Sequence, residues 1–343
     1  NWPVVQFDTE TPGLDPRVCR DMLSMQFGYE DFKTNECTQI VVDCKSIDPL
    51  LYKDVIESSN LVGHNLKFDL KFLYNYGIVP RKVYDTMICE QVMYLGYRKG
   101  KITFNLADVL SRHTGIEIDK SMQKDIAMVG LTEDGIRYAA GDVVHLQKIR
   151  KSQIQLAQYR NCVRALQIEN RFVPAIAYLE WCGIHLDQKK WKQKMSKDKA
   201  ELDKTLKELN DFVLSNDQLS EFVSTSYDSV GDVNNDASLF SFEPACIVDW
   251  NSPQKVVPVF KKLGFNTSEF DKDKGEDKDS VAEKLLSIQT GINDWFLNTY
   301  LDYKGYYKSV SSYGQGHLNQ INPYTDRIHT EFRQIGTVTG RNR

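Results

Sequence analysis

VVQFDTETPGLDP, residues 4–16, opens as an apolar run of strand-forming residues and then sets Asp8 and Glu10 two apart before a Pro12-Gly13 break. Side chains alternate across a strand, so the two carboxylates point the same way. Side by side they repel each other unless a positive charge lies between them. A single D-x-E pair on a strand is usually a solvated edge. Its meaning therefore depends on whether other acids join it.

The bulk properties bound the answer. At 343 residues and 41% hydrophobic content, the chain has room for two or three domains with packed cores. No uninterrupted apolar run suits a membrane span, and no signal-peptide pattern opens the chain. Seven scattered cysteines without a CxxC pair argue against a disulfide framework and a structural zinc site, and for a reducing, cytoplasmic compartment. A formal net charge of −4 excludes a wholly basic nucleic-acid binder while leaving room for local basic patches. Both ends read as cut, as in a piece of a larger protein.

Around the opening stretch, residues 1–152 read as a mixed α/β domain. Strands are expected over 4–10, 19–28 and 38–42, with 29–36 as a polar turn. A short helix follows over 48–58. The apolar run 61–64 leads into a helix over 65–76, with Leu66, Leu70 and Leu73 at helical spacing. Helices are also expected over 104–113 and 132–149, the second capped by Thr132 with Glu133 and Asp134 at the positive end of its dipole. Residues 153–343 have a different texture. An amphipathic helix over 167–182 precedes a long charged one over 187–214, whose apolar stripe is Leu202, Leu206 and Leu209. Residues 215–241 read as a loop or insertion, 271–279 as a charged run, and 292–343 as a polar, tyrosine-rich end.

Two further acids join the opening pair. Asp69 lies in GHNLKFDLKFL, residues 63–73, and Asp142 in RYAAGDVVHLQKI, residues 137–149. On a helix Tyr138 and Asp142, four apart, share a face. Four hard oxygen donors suit Mg²⁺ or Mn²⁺ rather than Zn²⁺. Two such ions about 3.5–4 Å apart clamp the attacking and leaving oxygens of a phosphodiester. Tyr138 would orient the attacking water through a protonated hydroxyl. Taken singly, each of these residues is an ordinary solvated side chain. Their order and contexts change the weighing.

FDTET, HNLKFD and YAAGD resemble the three exonuclease motifs of the DEDD superfamily in its tyrosine-containing branch. The resemblance implies Asp8, Glu10, Asp69 and Asp142 as metal ligands, with Tyr138 completing the catalytic set, on an RNase H-like sheet with flanking helices. Tyr84-Asp85-Thr86 and Phe104-Asn105-Leu106 resemble further helix starts of that family. Leu14 stands where the family places a wedge at the terminal bases, and Asn65, with His64 and Phe68 beside it, where the substrate strand is contacted.

The second half resembles family A DNA polymerases. Residues 169–187, ENRFVPAIAYLEWCGIHLD, are similar to the helix that opens the polymerase part. Asn251-Ser252-Pro253-Gln254, with a helix ending at Leu263-Gly264, is similar to a thumb segment. YKGYYKSVSSY, residues 303–313, resembles YRxxxKLxSTY, and RIHTEFRQIGTVTGR, residues 327–341, matches RxHTxFxQxxTxTGR without a gap. The resemblance implies a mostly α-helical thumb and the first part of an α+β palm over 153–343. It also implies DNA contacts from Lys304, Lys308, Ser311, Ser312, Arg327, His329, Thr330, Gln334, Thr337, Thr339 and Arg341. Such donors hold phosphates and minor-groove acceptors without reading much sequence. The excess length at 215–241 is read as a disordered loop, with a processivity-factor site as the alternative.

The implied function is proofreading 3′–5′ exonuclease, hydrolysing the 3′-terminal phosphodiester of single-stranded or frayed DNA with two Mg²⁺ or Mn²⁺ ions. The implied partners are a single-stranded 3′ end, a primer-template duplex and a remaining polymerase segment. Family A palm carboxylates lie beyond the TGR motif and outside these residues, so the chain as it stands is not expected to polymerise DNA. Two alternatives remain: an RNase D-like RNA 3′ exonuclease, and a non-catalytic DNA-holding subunit.

Overall fold

The structure, a computed structural model, describes residues 3–31, 33–34, 36–97, 102–118, 132–224, 244–271, 275–337 and 339–342. It forms two compact units, one of Asn1–His185 with Ile321–Arg343 and one of Leu186–Gln320. No helix among the described residues is long and apolar enough to cross a membrane.

The first unit is built on a five-stranded sheet of order β3-β2-β1-β4-β5. Its strands are β1 (Val4–Glu10), β2 (Ser24–Glu30), β3 (Cys37–Asp43), β4 (Asn60–Gly63) and β5 (Lys82–Asp85). β1–β2 and β2–β3 are antiparallel, while β1–β4 and β4–β5 are parallel. The helices are α1 (Lys53–Ser58), α2 (Leu66–Asn75), α3 (Thr86–Met93), α4 (Leu106–Thr114), α5 (Glu133–Val144), α6 (Leu146–Tyr159) and α7 (Val163–Cys182). Neighbouring β4 residues show how they are layered. Leu61 packs into a core with Phe7, Leu66, Leu70 and Val173, on the side of α2 and α7. Val62 points to the opposite face and joins Val109, Val143 and Leu146, on the side of α4 to α6.

Several elements differ from the sequence expectation. β2 starts at Ser24, not residue 19, because residues 15–19 fold into a turn closed by Cys19 N donating to Asp15 O at 2.9 Å. β2 also runs on through Glu30, inside the expected polar turn. There Glu30 is buried and paired with Lys151 at 2.9 Å, which offsets its desolvation. The single helix expected over 132–149 is two, joined at His145. The backbone N–H of Gln147 donates at 2.6 Å to the buried Gln6 side chain of β1, which satisfies one of the orphan donors at the start of α6. Thr132 does cap α5, accepting from Gly135 N. The expected boundary at 152/153 falls inside α6, so packing is continuous there. Compact packing of the first unit runs to His185 and resumes at Ile321.

In the second unit α8 (Gln188–Ser215) lies against α11 (Asp294–Tyr313). Trp191 Nε1 donates to Gly314 O, Lys194 and Ser309 both reach Asp198, and Phe212 packs on Phe296. The start of one helix thus meets the end of the other, and the pair is antiparallel. The expected stripe is present: Leu209 is fully buried, with Leu202 and Leu206 packed against the same core. That core includes Trp250, Phe260 of α9 (Pro253–Lys262), Phe296 and Tyr300. The charged run at 271–279 contributes a hairpin of β8 (Ser268–Asp271) and β9 (Glu276–Asp279), pinned by Lys261 on Asp279 at 2.8 Å. The short elements β6 (Val223–Ser224), β7 (Ala245–Cys246) and α10 (Glu283–Leu286) complete the unit with α12 (Gln315–Asn319). Most of the expected 215–241 loop lies outside the described residues; its start is a 3-10 turn, Asp217–Phe222. β10 (Ile321–Asn322) and β11 (Arg327–Ile328) then open the returning segment of the first unit.

One side chain organises the parallel edge of the sheet. The buried Asp85 carboxylate accepts from Met87 and Ile88 N at the start of α3, and from Asn65 and Leu66 N at the start of α2. Asn65 sits in the left-handed region, φ 61°, to turn the chain into α2. Burial raises the Asp85 carboxyl to about 6, against these four donors. Asp85→Ala removes two helix caps at once and is expected to cost about 2 kcal/mol or more in urea unfolding at pH 7. A loss below about 0.5 kcal/mol would show that the four N–H groups find other acceptors. The raised pKa also fixes a pH signature. Between about pH 4 and 6 the folded state holds a proton that the unfolded chain has lost, so this contribution to stability is present below pH 4 and disappears as pH rises through 6. Relative to Asp85→Asn, the wild type is expected to lose about 2–3 kcal/mol across that interval. Parallel pH profiles of the two proteins would contradict it.

Candidate active site

β1 does what the alternation of its side chains requires. Phe7 and Thr9 turn inward and are buried, while Asp8 and Glu10 share the other side and are half-buried. α5 brings Asp142 to them: carboxylate oxygens of Asp8, Glu10 and Asp142 lie within 4.8 Å of one another. Tyr138, one turn before Asp142, has its hydroxyl oxygen buried beside that carboxylate, without the geometry of a full hydrogen bond. Burial, then the charges of Asp142, Glu10 and Asp8, drives the Tyr138 pKa upward, so the phenol is protonated at neutral pH.

Asp69 stands apart from this triad. It lies in the first turn of α2, 3% exposed, and accepts from Thr9 Oγ1 at 2.6 Å. Burial, with Asp85 and Glu10 adding negative charge nearby, pushes its carboxyl up to about 7 despite the Thr9 bond. The structure therefore gathers three of the four expected acids with the tyrosine, and turns the fourth onto Thr9. Sequence reading passed over Thr9; its signal was its place between two same-side acids, facing the layer that carries Asp69.

The other expected site residues fall on both units. Leu14 is 85% exposed on the turn after β1. A Cβ on the preceding Gly13 would come 2.7 Å from Cys19 Sγ, so only glycine fits that turn without movement. His64 Nδ1 lies 2.9 Å from Thr86 Oγ1, and the Phe68 ring packs at 5.1 Å on Phe72. In the second unit Lys304, Lys308, Ser311 and Ser312 line one groove along α11. In the returning segment, Arg327 donates to Gly183 O and His329 bonds Glu180 O and Thr325 Oγ1. Gln334 is buried with its amide on Glu169. Thr330, Thr337, Thr339 and Arg341 are exposed, the last three on a turn in which Arg341 N donates to Thr337 Oγ1. Polar composition had suggested outward-facing donors throughout, but His329 and Gln334 spend theirs inside the unit.

Glu180 joins these pieces and carried no signal of its own beyond its motif. It is 2% exposed, and accepts from Lys67 at 2.7 Å, Lys71 at 2.9 Å and Phe332 N at 2.7 Å. Burial opposes its charge, but Lys67, Lys71 and the Phe332 N–H outweigh that and hold its pKa low. Lys67 and Lys71 flank Asp69 on α2, so the segment that carries Asp69 is tied to α7 and to the returning chain.

Residues 1–156 match the family model described as 3′–5′ exonuclease. Beyond the exonuclease domain, the similarity runs on. DNA polymerase I of Aquifex aeolicus is 26% identical over 374 residues, covering 99% of this chain and 53% of that protein. DNA polymerase I of Borreliella burgdorferi is 24% identical over 357 residues, covering 98% of this chain and 34% of that protein. The chain thus spans about half, or less, of the length of these curated relatives. Among solved structures, the POL domain of Pol1 from M. smegmatis, in complex with DNA primer-template and dNTP, overlays with a TM-score of 0.56 at 17% identity, covering 98% of this chain and 50% of that one. The mixed sheet with its flanking helices is the RNase H-like exonuclease fold.

The donor set of the exonuclease domain fits a hard divalent cation: three carboxylates converge, and Mg²⁺ and Mn²⁺ take such oxygen donors. Asp8→Asn removes one of the three charges that would attract the cation. Mg²⁺ or Mn²⁺ should then stabilise the wild type and leave Asp8→Asn nearly unchanged. Equal metal-induced shifts in both proteins would mean that the cation binds elsewhere.

Proposed function

We propose that the chain is the proofreading portion of a family A DNA polymerase, hydrolysing the 3′-terminal phosphodiester of DNA in the 3′–5′ direction and releasing nucleoside monophosphates. The observation that carries this reading is the convergence of Asp8, Glu10 and Asp142 with Tyr138 inside a domain of exonuclease family. Residues 153–343 would serve as thumb and the beginning of the palm, with 215–241 as an insertion, in a cytoplasmic enzyme.

Asp8, Glu10 and Asp142 would hold divalent cations, Mg²⁺ or Mn²⁺, and Asp69 would join as a fourth ligand once its proton and its Thr9 bond are given up. When bound, two such ions offset the carboxylate charge, acidify water and stabilise a leaving 3′ oxygen. The protein's own groups do the rest. Tyr138, held protonated, donates toward the attacking water and fixes its direction rather than removing its proton. Leu14, 85% exposed on the turn after β1, would wedge against the terminal base. Asn65, His64 and Phe68, around the start of α2, would position the strand next to Asp69. A half-buried acid cluster admits an unpaired end more readily than a stacked duplex, so single-stranded or frayed termini are the preferred substrates. Lys304, Lys308, Ser311, Ser312, Arg327, Thr330, Thr337, Thr339 and Arg341 would contact primer-template DNA. His329 and Gln334 would act there by shaping the returning segment.

Trimming of 5′-labelled single-stranded DNA tests this. Stepwise shortening is expected with Mg²⁺ and none with EDTA. Asp8→Ala/Glu10→Ala should slow it by about 10²–10³-fold or more, the scale for losing charge stabilisation at a reacting phosphate. A matched RNA strand trimmed faster than the DNA would favour an RNase D-like enzyme. Tight DNA binding with no metal-dependent cleavage would leave a DNA-holding subunit.

A further inference from the structure

A second cavity, of about 650 Å³, opens in the first unit where β5, α6 and α7 meet. It lies at the far end of the sheet from the acids. β1, β4 and β5 run parallel and start together, Val4 pairing with Asn60 and Asn60 with Lys82. Asn60 and Lys82 line the cavity, whereas Asp8 and Glu10 lie at the other end of β1, about 13–20 Å further along the strand direction.

Its chemistry is one-sided. Arg81, Lys82, Arg150 and Arg171 line it, and no aspartate or glutamate does, in a chain of net charge −4. The floor is apolar, with Val83, Ala157 and Leu166 buried beneath. Arg150 lies with its guanidinium 5.4 Å from the centre of the Tyr84 ring, and its Nε is buried with no hydrogen-bond partner. A buried N–H left in this state is costly, and a bound acceptor would satisfy it.

We propose that this cavity binds a free nucleoside phosphate. Three arginines suit phosphate oxygens, for which the guanidinium fork is shaped. The apolar floor and the Arg150 plane suit a flat base, which stacks on guanidinium and apolar surface alike. Inorganic phosphate would leave that floor uncovered. The volume lies in the range for small-molecule sites, about 300–1,000 Å³, and matches one nucleotide rather than a strand. Nucleoside monophosphates are also the product of the proposed reaction, but binding at this cavity stands independently of that reading.

Calorimetric titration with dAMP in EDTA tests the proposal, because removing metal silences the acid site. One-to-one binding is expected. Arg150→Gln and Arg171→Gln should each weaken it about tenfold, the effect of losing one charge-assisted contact. Asp8→Ala/Glu10→Ala should leave it unchanged. Arg171, exposed on α7, carries the comparison should Arg150→Gln lower the melting temperature. No saturation up to about 5 mM dAMP, a limit near −3 kcal/mol, would overturn the proposal. So would unchanged affinity in both arginine variants, or loss of binding in the acid variant. An oligo(dT) strand that binds through these arginines where dAMP and dTMP do not would also overturn it, assigning the cavity to a strand contact.

Discussion

Four backbone N–H groups from two helices end on one carboxylate, that of Asp85. Helix starts leave donors unsatisfied, and a buried start has no water to turn to. Asp85 meets both starts from the end of β5, where α2 and α3 converge. Its own N–H is in turn taken by Asn170 of α7 at 2.6 Å. The direction of α2 follows from this clamp, and with it the placement of Asp69, Lys67 and Lys71. The placement of the α2 carboxylate and its two lysines thus rests on a residue outside the cluster of Asp8, Glu10 and Asp142.

A second constraint works through charge. The acids divide into two environments. Asp8, Glu10 and Asp142 share a half-buried side where a cation can reach them. Asp69 sits on the buried side, its carboxyl raised by lost solvation and bonded to Thr9. Environment rather than residue type separates their roles, as when two carboxylates in one site titrate far apart. Moving Asp69 toward the others means exchanging a short hydroxyl bond for a cation. A bound ion is suited to drive that exchange, because it reverses the electrostatics that keep the proton in place.

Much of this was legible from residue order. The D-x-E strand, the Tyr138–Asp142 spacing and the Leu202–Leu206–Leu209 stripe all express local periodicity, and local periodicity survives folding. Contacts across long sequence separation were not legible. Gln6 ends one helix and begins another by bonding Gln147, 141 positions away, so a helix read as continuous is broken. Glu30 looked like a turn residue because its partner, Lys151, is 121 positions distant. Gln334 and His329 looked outward-facing because polarity alone does not separate a donor aimed at solvent from one spent on Glu169 or Glu180. The cationic cavity left no sequence signature either, since its four basic residues come from three separate stretches.

The first unit is discontinuous, and this sets an order of events during synthesis. Residues 321–343 join Glu180, Glu169 and Gly183 only after Leu186–Gln320 have left the ribosome. At about 5–20 residues per second that interval is on the order of ten seconds, far longer than helix or hairpin formation. The sheet and its helices therefore wait in a nearly finished state. Lys67 and Lys71 neutralise Glu180 in the meantime, while the surface that will receive Phe332 and Gln334 stays open. A nascent chain stalled before residue 321 would present that surface to solvent and to chaperones until the returning segment is made.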